Sequence, residues 1–151
     1  MSGPTHLTLA ETARRMGEAI WLEERLFEAL GAAAASDLPA DVRAVLSEVS
    51  RRHAWRAEQV RGRLPEVPGF AAADVVAPTT EASGDVEAVA AAPTAAESVA
   101  VAVARPMARL ESSYVDHIER CSAISDASVE RTLTLVLADL RADLAALRSV
   151  G

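Results

Sequence analysis

Residues 20–60 read IWLEERLFEALGAAAASDLPADVRAVLSEVSRRHAWRAEQV, and this stretch decides the fold. Apolar residues recur every three or four positions on both sides of a break around Ser36, Asp37 and Pro39. That is the pattern of two amphipathic helices joined by a short turn. The stripe before the break is Leu9, Ala13, Met16, Ile20, Phe27 and Leu30; the stripe after it is Val42, Val45, Leu46, Val49, His53, Val60 and Leu64. At about 100° per residue, Glu23 falls inside the first stripe and His53 inside the second. Burying a carboxylate is expensive unless it is paired or ligated, so Glu23 is the most informative acid in the chain. Two helices antiparallel about a turn near residue 38 place residues equidistant from that turn at one level. Glu23 and His53 are equidistant from it. They are expected to face each other, with Arg56 on the same side of the second helix and able to neutralise Glu23.

Outward from this hairpin, Thr8-Leu-Ala-Glu11 is a capping box that opens the first helix. Pro65 and Pro68 close the second, so each helix is expected to span roughly 26 to 28 residues, or about 40 Å. Residues 66–93 are different. They hold Pro68, Gly69, Pro78, Gly84 and Pro93, with a short helical possibility only at Asp85 to Ala91. Turns between neighbouring antiparallel helices usually take about 2 to 8 residues. This segment is therefore expected to run back along the helices, pinned by Phe70, Val75 and Val76, so that the second and third helices are parallel.

A second capping box, Thr94-Ala-Ala-Glu97, opens a third helix with Val99, Val103, Met107, Leu110, Tyr114, Ile118 and Cys121 on one face. Pro106 inside it removes a backbone hydrogen bond and is expected to kink it. After a turn at 122–128 capped by Asp126, a fourth helix carries Val129, Leu133, Val136, Leu137, Leu140, Leu144 and Leu147. The chain reads as all-α, one domain over residues 1–151, a four-helix bundle with a crossover at 66–93.

Short loop, long crossover, short loop: this connectivity resembles the ferritin-like superfamily over nearly the whole chain. The resemblance implies a metal centre to which two helices each give a glutamate and the other two each give Glu-x-x-His. On that pattern Glu23 and His53 are the ligand candidates, with Glu111 and Asp143 as flanking carboxylates, and iron or manganese as the metal. The sequence departs from the pattern. Ser50 stands three residues before His53 where the motif has glutamate, and Glu48 projects to a flank. Met107 and Leu110 fill the third helix at the counted level, while Val136 and Leu140 fill the fourth, with Asp139 and Asp143 at its edge. Tyr114 and His117 form a Tyr-x-x-His pair, which is not a ferritin-like ligand set. A metal-free polar pair of Glu23 with His53, joined by Arg56, is the alternative the residues favour.

Composition bounds the rest. The 151 residues carry 33 alanines, 15 arginines, no lysine and one cysteine, which excludes a disulfide scaffold and a Cys-ligated zinc module. The net charge of -7 argues against a nucleic-acid binder. Charges interrupt every apolar run before it reaches a membrane span, and Met1 to Ala10 contains no apolar leader, so a cytoplasmic location is expected. The arginines of the second helix are balanced by nearby acids and read as a solvated face. Cys121 reads as a buried small hydrophobe.

Three functions follow as expectations. The first is a non-catalytic scaffold or interaction protein with a degenerate metal site and no cofactor. The second is a metal-dependent, di-iron-type oxidase or hydroxylase. The third is a small-ligand binder using a groove beside Pro106. Trp21 and Trp55 project away from the main stripes and are equidistant from the turn. Tryptophan is enriched at interface anchors, so a homodimer through this face is expected.

Overall fold

The computed structural model describes residues 5–150. Met1 to Pro4, part of the leader reading, and Gly151 lie outside the described residues. Among the described residues the chain is all-helical, with six helices and no strand: α1 Leu9–Ala34, α2 Ala40–Arg61, α3 Ala72–Val75, α4 Thr80–Ala90, α5 Ala96–Glu119 and α6 Ala127–Arg148. None of them is long and apolar enough to cross a membrane.

The start of α1 follows from its sequence. The Thr8 N–H donates to Glu11 Oε2 at 2.8 Å, and the Glu11 N–H donates to Thr8 Oγ1 at 3.2 Å, closing the capping box. Its buried face is Ala13, Met16, Ala19, Ile20, Leu22, Leu26 and Leu30. Phe27, expected on that face, is 42% exposed, and Leu26 takes its place. The helix is phased so that Glu23 stays inside while the bulkier ring turns out. Helix α2 ends at Arg61, three residues before Leu64, and is therefore shorter than expected. The second capping box does not form. Helix α5 starts at Ala96 behind Ala95, which has no side-chain acceptor to offer. Asp126 precedes α6, but its carboxylate accepts from the Ser122 N–H instead of capping the helix.

Side-chain bonds fix the directions of the four long helices. Ser50 reaches the Phe27 carbonyl and Arg61 pairs with Glu24, so α1 and α2 are antiparallel. Tyr114 meets Glu23 and Arg15 meets Asp116, which makes α1 and α5 antiparallel. Arg52 meets Asp143 and Arg63 meets Thr132, so α2 and α6 are antiparallel as well. It follows that α2 and α5 run the same way. The intervening segment packs α3 on α1, and α4 on both α1 and α5.

That segment is better ordered than its composition suggests. Thr79 accepts from the Ala82 N–H and starts α4 five residues before the expected Asp85. Phe70 does not pin it, being 63% exposed. The contact is made instead at Gly17, where an added Cβ would lie 2.1 Å from the Val75 carbonyl oxygen. Only a residue without a side chain lets the backbone approach α1 so closely. Val76 packs against the core beside it.

Candidate functional site

Five buried residues with polar groups, Glu23, His53, Arg56, Tyr114 and Asp143, converge on one point between α1, α2, α5 and α6. Glu23, His53, Arg56 and Asp143 are each 0% exposed, and Tyr114 is 1% exposed. His53 and Arg56 are three apart on α2 and share a face, while Asp139 and Asp143 are four apart on α6 and share another.

Glu23 is the acceptor at the centre. His53 Nδ1 lies 2.5 Å from Oε2, Arg56 Nε donates to both carboxylate oxygens at 3.2 Å, and the Tyr114 hydroxyl donates to Oε1 at 2.8 Å. Arg56 Nη1 turns the other way, donating to Asp139 Oδ2 at 2.6 Å and Asp143 Oδ2 at 2.8 Å. Arg52, reaching in from the surface, donates through Nε to Asp143 Oδ1 at 2.5 Å. One guanidinium thus joins α2 to carboxylates on both α1 and α6. A planar fork of donors with a fixed charge suits such bridging better than an ammonium would.

The electrostatics follow from this geometry. Burial alone would raise the Glu23 pKa, but the charge and hydrogen bond of His53, with Arg56 and Tyr114, outweigh it and hold the carboxyl below its ordinary range. Burial opposes the Arg56 charge, yet Glu23, Asp143 and Asp139 together raise its pKa. Burial first, and then the Glu23 carboxylate, push the Tyr114 phenol well up, so it stays a donor. Two buried nitrogens in this cluster have no protein partner, His53 Nε2 and Arg56 Nη2.

Glu23 and His53 face each other as the level count expects, and Arg56 joins them. Asp143 is brought in as well, although the sequence reading put it at the edge of the fourth helix. Glu111 is not. It pairs with Arg141 on the surface at 2.7 Å. Tyr114 is the residue that sequence reasoning missed as a partner of Glu23. The signal was its place in the apolar stripe, with a hydroxyl that requires a bonding partner.

The arrangement does not fit a di-metal carboxylate centre. A fully buried guanidinium stands among Glu23, Asp139 and Asp143, where a metal cation would have to displace it. Among the described residues no group of three or more His, Cys, Asp or Glu side chains is placed to hold a metal ion. Cys121 and His117 are also placed by the structure. Cys121 is half-buried rather than in the core, and burial followed by Asp126 and Glu130 pushes its thiol up to about 11. His117 is buried, and burial with the nearby Arg15 lowers its pKa to about 4. Trp21 and Trp55 are half-buried, and Trp21 packs against the core. No protein-family model, curated protein or solved structure matches this chain.

Proposed function

We propose that the chain is a four-helix bundle of ferritin-like connectivity whose polar centre is a structural tie, and that it acts as a non-catalytic scaffold or interaction protein. The antiparallel pairs, the shared direction of α2 and α5, and the packing of α3 and α4 along the bundle support that connectivity. The single observation that carries the functional reading is the position of Arg56. Its guanidinium bridges carboxylates of two other helices at the level where ferritin-like proteins hold metal. A cation fixed to the backbone supplies neither open coordination nor redox chemistry. What it does supply is a fixed alignment of α1, α2 and α6.

One observation favours the second reading, a metal-dependent oxidase or hydroxylase. His53 directs Nδ1 at a carboxylate and leaves Nε2 without a protein partner, the arrangement that backs a metal-ligating histidine. Metal analysis of the purified protein, expressed with added iron and manganese, separates the two. We expect well below one metal per chain and a melting temperature unmoved by chelator. Iron or manganese near stoichiometry, lost in His53→Ala, would overturn the scaffold reading.

On the scaffold reading the chain works through self-association or a protein partner. The sequence expectation assigns a homodimer to the Trp21 and Trp55 face.

A further inference from the structure

The outer surfaces of the long helices differ in chemistry. Exposed positions on α1 and α2 are laced with ion pairs, among them Arg25–Glu28, Arg51–Glu48 and Arg61–Glu24. The groove between α1 and α5 is covered by α4. The groove between α5 and α6 is open. It encloses about 440 Å³, and its lining is mixed: alanines of α5 with Leu144 and Leu147, and the charged Glu97, Arg148 and Glu111, the last paired across the groove to Arg141. Val101 stands on its rim, 69% exposed. On α6 the outward residues Leu135, Ala138, Ala142 and Ala145 continue the apolar surface at alternating three- and four-residue spacing. The sequence reading sets a small-ligand groove beside Pro106, but Pro106 is buried and does not line this open trough. Alanine floors let a second helix approach closely.

The charges on α5 indicate what fills it. Glu97 and Arg105 lie four residues before and four after Val101, in one row along the exposed face. Among the described residues Glu97 makes no ion pair. Arg105 is 80% exposed, and its one pair, with Asp85, is long at 3.6 Å. A row that runs acid, apolar, base about its centre is self-complementary. Turned end for end, a second α5 sets Val101 against Val101, with each Glu97 level with the Arg105 of the other copy. Interfaces closed by a two-fold axis need this property. A stable interface takes about 800 Å² from each partner. Two adjacent helices of 24 and 22 residues, roughly 36 and 33 Å long, present area of that order.

We infer that a second copy of this chain docks on the α5–α6 face, antiparallel about Val101, with Glu97 of each copy paired to Arg105 of the other. The inference rests on the self-association half of the proposed function and moves the contact away from the Trp21 and Trp55 face.

Sedimentation equilibrium of the full chain tests it, with far-UV circular dichroism confirming that each variant is folded. Val101 is exposed, so Val101→Arg leaves the fold intact while raising the dimer Kd about tenfold or more. Glu97→Arg or Arg105→Glu alone faces like charges across the axis and weakens the dimer about three- to tenfold. The two together restore it to within about twofold. A dimer unmoved by Val101→Arg, or a charge pair that does not rescue, overturns the α5–α6 assignment and leaves self-association standing. A dimer dissolved by Trp21→Ala or Trp55→Ala and unmoved by Val101→Arg returns it to the other face. A wild-type chain monomeric at 100 micromolar overturns both the assignment and self-association.

Discussion

Helices α1 and α2 are joined by a set of polar bonds on top of their apolar packing, whereas α5 and α6 are joined almost wholly by apolar packing. Across the first pair run the bonds of Glu23 to His53 and Arg56, Ser50 to the Phe27 carbonyl, Arg43 to the Ala34 carbonyl and Arg61 to Glu24. Across the second pair, among the described residues, one surface bond joins Arg141 to Glu111, and the remaining contact leaves an open alanine-floored trough. The difference shows how alignment is divided in this molecule. The polar pair sets the register of α1 and α2, and Arg56 extends it to α6. Among the described residues the apolar pair has one polar cross-link, Arg141 to Glu111, at its surface.

The largest expected effect comes from cutting that extension. Arg56→Leu leaves Glu23 and Asp143 buried with fewer counter-charges and is expected to cost about 3–5 kcal/mol, read as a lowered urea midpoint. A loss under about 1 kcal/mol would mean that the first pair, like the second, is held mainly by apolar packing.

A smaller effect is expected where the α3 segment meets α1. Gly17→Ala places a methyl against the Val75 carbonyl, so the backbone must shift, costing about 1–3 kcal/mol. The shift also reports on the close approach. Hydrogen exchange around Val75 and Val76 should speed up while that of the Glu23 centre stays protected, and unchanged exchange would place the segment elsewhere.

A further effect appears only in acid and comes from α5. His117 is buried with a pKa lowered to about 4, below the ordinary value near 6.5. The unfolded chain therefore takes up a proton between about pH 6.5 and pH 4 that the native state refuses, and stability falls as pH drops through that window. Glu23, with its pKa also lowered, adds its loss below its ordinary value of 4.5. Replacement by His117→Gln should flatten the plot of urea midpoint against pH above 4.5 and leave the steeper fall below it. An unchanged slope would place the His117 ring in solvent.

The hairpin of α1 and α2 was legible because its turn is short. Position 38 fixes both direction and level, so Glu23, His53 and Arg56 could be brought together by phase and distance from the turn. The second pair was harder to place because the long connection conceals its vertical register. The level count set residue 109 opposite His53, whereas Tyr114 is the α5 residue that bonds Glu23, and Asp143 sits fully inside instead of at an edge. Periodicity also cannot choose between adjacent residues when both are apolar, hence Leu26 in the core where Phe27 was expected. Nor could it show that Gly17, one of seven glycines, is the point where another backbone rests on α1.

The central claim is that Glu23 and Arg56 act as one structural unit in the core. A double-mutant cycle with Glu23→Leu, Arg56→Leu and both together, followed by urea unfolding at pH 7.5, tests it most directly. Strong non-additivity is expected, the double variant being more stable than the sum of the single losses allows by about 1–3 kcal/mol. Losses that add to within about 0.5 kcal/mol would contradict it.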